Sequence, residues 1–263
     1  MMSSKYILFC LLMIAFSKTA SSQSSKFESF DGVQIAYNDE GSGDVVLLLH
    51  GFINSRKSWD KTALKKDLIA AGYRVIIPDL RGNGDSDKPQ KEEAYQNNAE
   101  VNDVVLLMNH LNIKMYKAIG YSRGSIVLAK LLTEDNRIEK AVLGGMGIDF
   151  TNADWDRRIM FAKAFDGDVN EETKGAVDYA KSIHADLRSL HLQQKYQPVT
   201  FISDLNKIAI NVLIICGDQD TDNGNSQELS DAFKNGILKI VPGDHNGTYK
   251  TVEFSLPALQ FLD

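Results

Sequence analysis

Short apolar runs alternate with amphipathic helical runs along most of this chain. Val45 to His50 is apolar up to its histidine, the pattern of a strand buried on both faces of a parallel sheet. Arg74–Ile77, Tyr116–Gly120, Ala141–Leu143, Asn211–Cys216 and Leu238–Val241 read as further strands. Lys26–Phe30 and Gln34–Asn38 read as two short strands joined at Asp31-Gly32, a hairpin. Trp59–Ala71 puts Leu64, Leu68 and Ile69 on one face and lysines on the other, a helix that Gly72 ends. Asn102–Leu111, Ser122–Thr133, Ser226–Lys234 and Tyr249–Leu262 are the other helices, and Pro257 is expected to kink or shorten the last. Asp79–Pro89 is a loop rich in Gly, Asp and Pro. The alternation predicts an α/β fold, an open and mostly parallel sheet with helices on both faces.

Residues 148–207 break the rhythm. Phe150, Trp155, Phe161, Phe165, Tyr179, Tyr196 and Phe201 lie among helix formers there, with no convincing strand. So long a stretch between neighbouring strands is too much for a bare loop. It reads as a helical cap insertion over the carboxyl edge of the sheet, with residues 23–147 and 208–263 forming the core. Its ten acids and eight bases predict an apolar pocket without a strong charge preference.

Composition narrows the function classes. The 263 residues carry 43% hydrophobic positions, enough for one large domain with a sizeable core. The net charge of −6 argues against an electrostatic nucleic-acid binder, which needs a basic face. Residues 1–22 differ from the rest. Lys5 precedes an apolar run from Tyr6 to Phe16, and small polar residues follow to Gln23. That is the three-part pattern of a signal peptide, and it predicts export to the periplasm or beyond. The run is too short for a membrane-spanning helix, so no membrane association is expected after the leader is cut. Cys10 falls in the leader; Cys216, alone on an apolar strand, reads as a small buried hydrophobe.

The chemistry begins at Gly120-Tyr121-Ser122-Arg123-Gly124, a Gly-x-Ser-x-Gly between a strand and a helix. In that context the motif is a nucleophile elbow, a sharp turn that pushes a serine hydroxyl out above the sheet. A serine needs a base, and histidine serves near neutrality. Of His50, His110, His184, His191 and His245, only His245 follows Asp220, in a glycine-flanked loop after the last strand. The acid follows the preceding strand in Gly217-Asp218-Gln219-Asp220. Asp220 is favoured there, with Asp218 and Asp222 as alternatives. Backbone N–H groups of Phe52 and Arg123 are expected to form the oxyanion hole. His50, with the base position filled, is expected to hold its turn. His50, Ser122, Asp218, Asp220 and His245 all stand just after strands, which is where open α/β sheets bind ligands.

Taken together, these residues resemble the α/β-hydrolase superfamily, from about Phe27 to Leu262. The likeness rests on His50-Gly51-Phe52 with Trp59, the run Pro78 to Ser86, the elbow at Ser122, Gly217 to Asp220, and Gly243-Asp244-His245. It implies an eight-stranded sheet, a helical cap, and Ser122, Asp220 and His245 as the catalytic triad. Relatives with dehalogenase or epoxide hydrolase activity place Asp at the elbow, so Ser122 disfavours those chemistries. Arg123 and Ser125 stand where many relatives carry Met and Gly. Arg123 either puts a cation near the elbow or turns away to pair with an acid. The resulting expectation is a cofactor-independent serine hydrolase acting on a small or medium carboxylic ester. Cleavage of a C–C bond or peracid formation on the same triad is the second reading. A non-catalytic ligand-binding protein on the same scaffold is the third. Oligomeric state is left open.

Overall fold

The structure, a computed structural model, describes residues 25–263; the leader predicted over residues 1–22, with Cys10, lies outside the described residues. The strands are β1 (Ser25–Glu28), β2 (Gln34–Gly41), β3 (Val45–Leu49), β4 (Arg74–Pro78), β5 (Tyr116–Tyr121), β6 (Ile138–Gly144), β7 (Asn211–Gly217) and β8 (Gly236–Val241). They form one eight-stranded sheet in the order β1-β2-β4-β3-β5-β6-β7-β8. β1–β2 and β2–β4 pair antiparallel, and every other neighbour pairs parallel. All five residues of β3 are buried, as a central strand covered on both faces requires.

Strand side chains alternate between faces, so the apolar runs feed two cores. Leu47, Leu49, Ala118, Leu143 and Ile214 pack against α2 (Ala99–His110), α3 (Arg123–Glu134) and α8 (Ser226–Asp231). Val46, Leu48, Ile119, Val142 and Ile215 pack on the other face against α1 (Ala63–Ala70) and α9 (Val252–Leu262). The helix expected from Trp59 begins as a 3₁₀ turn over Arg56–Lys61, and α1 starts only after Thr62, whose side chain accepts from the Lys65 N–H. α9 runs through Pro257 to Leu262, so the proline does not shorten it. Buried Phe254, Ala258 and Leu262 on either side of Pro257 hold that helix to the sheet.

Between β6 and β7 lies an inserted helical subdomain: α4 (Asp156–Phe165), α5 (Glu171–Ser182), α6 (Leu187–Lys195) and the short α7 (Ile202–Leu205). Phe165, Val177, Ala180 and Leu190 form its small core. That core closes on the sheet through Ile53 and Phe52, and the Phe52 ring meets Phe165 edge-on at 5.3 Å between centroids. The Gln193 side chain also donates to the Arg81 carbonyl at 2.6 Å. The turn after β3 is therefore clamped between sheet and insertion.

Candidate functional site

The elbow is a steric consequence of its glycines. Ser122 links β5 to α3 with φ 53° and ψ −121°, a strained backbone for a residue with a side chain. A Cβ on Gly120 would sit 2.4 Å from the Gly124 carbonyl oxygen, and one on Gly124 would sit 2.2 Å from that of Leu49. No other residue fits at either position without moving a backbone. Ser125 braces the turn, its hydroxyl donating to the Gly120 and Gly144 carbonyls at 2.9 and 2.8 Å.

Two loops from neighbouring strands converge on this hydroxyl. His245 Nε2 lies 2.9 Å from Ser122 Oγ, and its Nδ1 lies 2.8 Å from Asp220 Oδ2. The Asp220 carboxylate is 2% exposed and the imidazole 21%. A Cβ on Gly217 would come within 2.1 Å of the Gly243 carbonyl oxygen, so the acid-bearing and histidine-bearing loops touch through bare backbone. The Asp244 side chain accepts from the Gly247 N–H at 2.6 Å and shapes the loop that carries His245. The alternative acids are occupied elsewhere. Asp218 accepts from the Gly243 N–H at 3.0 Å, and Asp222 reaches Arg157 at 3.4 Å.

Two residues at this centre escaped the sequence reading. The Tyr121 hydroxyl donates to the His245 carbonyl at 2.8 Å, and its ring lies 5.7 Å from the imidazole. Burial pushes that phenol's pKa up, so it stays a donor. Asn223 Nδ2 lies 3.2 Å from His245 Nδ1, farther than the Asp220 oxygen. Asn223 follows Asp220 by three residues, a spacing with no signature of its own.

The Gly51 backbone crowds the elbow: a Cβ there would stand 3.4 Å from Ser122 Cβ. Among the described residues the backbone N–H groups of Phe52 and Arg123 donate to no protein acceptor. Arg123 N–H opens α3, where free N–H groups and the helix dipole favour an anion. His50, buried, donates from Nδ1 to the Gly51 carbonyl at 2.8 Å and accepts the Leu80 N–H on Nε2 at 3.1 Å. Both ring nitrogens are thereby used in holding the turn, and burial pulls its pKa down. The Arg123 side chain turns away from Ser122 to pair with Glu100, both side chains being under 5% exposed. Burial pushes the Cys216 thiol up to about 11, and it packs as an inert side chain. No cluster of three or more His, Cys, Asp or Glu side chains is placed to hold a metal among the described residues. Nor, among them, is any helix long and apolar enough to cross a membrane.

Ser122 and His245 line two adjoining cavities, which also share Phe52 and Ala176 in their walls. One, of about 540 Å³, opens past Tyr121, Tyr179 and Tyr249. The other, of about 230 Å³, runs under α4 past Ile126, Met146, Trp155 and Phe161. The expected apolar pocket also carries charge: Arg123, Arg157 and Arg158 line the smaller cavity together with Asp222. Near balance over the whole insertion hid two adjacent arginines on one turn of α4.

A family model described as the alpha/beta hydrolase fold matches residues 44–176. The chain belongs to the α/β-hydrolase family. A non-heme haloperoxidase of Rhodococcus erythropolis is 27% identical over 252 residues, 82% of this chain and 90% of that relative. Epoxide hydrolase 3 of Siraitia grosvenorii is 38% identical over 97 residues, 37% of this chain, so the chain spans about a third (30%) of that relative's length. Among solved structures, a bromoperoxidase from Bacillus anthracis superposes with a TM-score of 0.72 at 25% identity, covering 92% of this chain and 99% of that one. An esterase from Exiguobacterium antarcticum superposes at 0.76 with 20% identity over 91% and 99% of the two chains, a likeness of fold alone. The chain therefore has the α/β-hydrolase fold and is similar in sequence to an epoxide hydrolase over its matched segment and to a haloperoxidase over most of its length.

Proposed function

We propose that this α/β-hydrolase is a serine hydrolase that cleaves a small or medium carboxylic ester through an acyl-enzyme. One observation carries the reading: a single imidazole lies 2.9 Å from a strained serine hydroxyl and 2.8 Å from a buried carboxylate. His245 Nε2 takes the Ser122 proton as Oγ bonds to the ester carbonyl carbon. The carbonyl oxygen becomes an oxyanion held by the Phe52 and Arg123 N–H groups. The ester C–O bond breaks as the imidazolium returns its proton to the leaving alcohol. Water then gives a proton to His245 and attacks the acyl carbon, and Ser122 departs with that proton as the acid is released. Asp220 keeps Nδ1 protonated and stabilises the imidazolium formed in each half.

Ser122 at the elbow, in place of an aspartate, separates this reading from the chemistry in the name of the epoxide hydrolase relatives. The inserted helices wall both cavities and serve as the cap over residues 148–207. The leader pattern supports export. The match to a haloperoxidase over 90% of that relative supports a second reading, in which hydrogen peroxide instead of water attacks the acyl-enzyme and releases a peracid.

A fluorophosphonate probe tests the nucleophile. Wild type is labelled on Ser122, and Ser122→Ala loses both label and ester turnover. A folded wild type left unlabelled would favour a ligand-binding protein on the same scaffold. Monochlorodimedone bromination with acetate, peroxide and bromide, which the released peracid would oxidise to the brominating species, would instead support the peracid reading if it is lost in Ser122→Ala.

A further inference from the structure

The smaller cavity beside Ser122 holds more positive charge than its own residues neutralise. Arg123 spends its charge on Glu100, which lies outside the cavity wall. Arg157 stacks over the Phe161 ring at 5.1 Å and reaches Asp222 at 3.4 Å and Glu172 at 3.7 Å, both more than half exposed. Arg158 makes no ion pair among the described residues; the exposed carboxylate of Asp154 acts on it only from beyond contact. Its guanidinium donates to the carbonyls of Ala153 and Lys195, the second at 3.4 Å, and its Nε is buried without a partner. The Nε of Arg123 is likewise buried and unpaired, on a side chain 2% exposed.

The Arg158 side chain is half-buried, but its Nε is sealed from water with no acceptor, and an anion reaching it from the cavity would supply the missing partner. The guanidinium fork matches the two oxygens of a carboxylate. With Arg123 and Arg157 held in ion pairs, Arg158 is the lining guanidinium without one, and a single fork suits one carboxylate better than a phosphate dianion. The room is limited: about 230 Å³, against the roughly 150 Å³ that takes one benzene molecule.

We propose that the natural ester carries a carboxylate, and that this carboxylate docks on Arg158 in the cavity between α4 and the Ser122 elbow. Arg158 is then the residue that sets substrate charge. The inference rests on the ester-hydrolase reading for its chemistry, but the anion site itself is separable from it.

Two matched ester pairs test it with the full-length protein. The mono-4-nitrophenyl ester of adipic acid is compared with 4-nitrophenyl 6-methylheptanoate, which puts an isopropyl group in place of the acyl-side carboxylate. 4-Butyryloxybenzoate is compared with 4-isopropylphenyl butyrate, which does the same on the alcohol side. In one of the pairs kcat/KM favours the charged member, and Arg158→Gln lowers that preference roughly tenfold or more. Arg158→Lys, which keeps the charge and loses the fork, retains part of it. A third measurement does not depend on turnover: adipate or benzoate raises the melting temperature of wild type and of Ser122→Ala, and not that of Arg158→Gln. Neutral esters favoured in both pairs, or a charge preference that survives Arg158→Gln, overturns the proposal. If no ester is cleaved and no fluorophosphonate label appears, the hydrolase reading fails, and the melting shift alone decides the anion site.

Discussion

Asp220→Asn isolates one electrostatic contact without changing the size of a side chain that is 2% exposed. The carboxylate lies 2.8 Å from His245 Nδ1. At an effective dielectric of about 20, unit charges at that distance attract by about 6 kcal/mol. Most of that attraction exists only while the imidazole is protonated, which is when a proton has left Ser122. The amide adds a second penalty. Its NH₂ can donate to Nδ1 and favour the tautomer with hydrogen on Nε2, which cannot accept from the serine. Together these predict a kcat lower by about 10⁴, the drop such a replacement gives in serine proteases, with KM little changed. Initial rates on a short-chain 4-nitrophenyl ester measure it, alongside Asp218→Asn and Asp222→Asn as controls. The melting temperature, followed in parallel, separates lost catalysis from lost fold. An Asp220→Asn rate within tenfold of wild type, with Asp218→Asn severely impaired, would refute the reasoning and move the acid to Asp218.

Three further outcomes follow from packing. Gly124→Ala drives a Cβ to 2.2 Å from the Leu49 carbonyl oxygen on a buried strand, so urea denaturation should show a loss of at least about 1–3 kcal/mol, with Gly120→Ala similar. Glu100→Ala strands the Arg123 guanidinium in the interior with Gln197 at 3.5 Å as its remaining side-chain acceptor, and should cost about 3–5 kcal/mol by the same assay. His50 makes stability fall in acid. Burial holds its folded pKa below the usual 6.5, so below that pH the unfolded chain binds the proton more readily. The contribution is complete above about pH 6.5 and falls by up to about 1.4 kcal/mol per pH unit until the folded pKa is reached. His50→Gln should flatten the dependence of the denaturation midpoint on pH in that window, and an unchanged slope would remove His50 as its source.

The chain itself determined the features that depend on near neighbours. The all-apolar run of β3 announced a strand covered on both sides, because only such a strand can forgo polar positions. The glycines around Ser122 announced the bend, because their need for space is local and steric. The order of loop residues after strands put Ser122, Asp220 and His245 at one rim, because parallel strands end on the same side. Start positions were less legible. α1 begins four residues late and α2 three residues early, since the helix starts at Thr62 and Asn98 are set by turns and tertiary contacts as well as by apolar period. Pro257 was overruled outright by burial of Phe254, Ala258 and Leu262.

Tertiary structure alone decided which charges meet. Arg123 could have faced Ser122 or an acid, and it was Glu100, 23 residues away on α2, that claimed it. Asp218 and Asp220 stand side by side in sequence, yet one turns to the Gly243 N–H and the other to His245. The unpaired guanidinium of Arg158 meets the Ser122 cavity only when α4 is laid over the elbow, because net composition averages over a segment whereas a cavity gathers what is near. Steric and periodic requirements act over a few residues and so are written along the chain. Coulombic and hydrogen-bond partners are chosen across distances that only the packed fold closes.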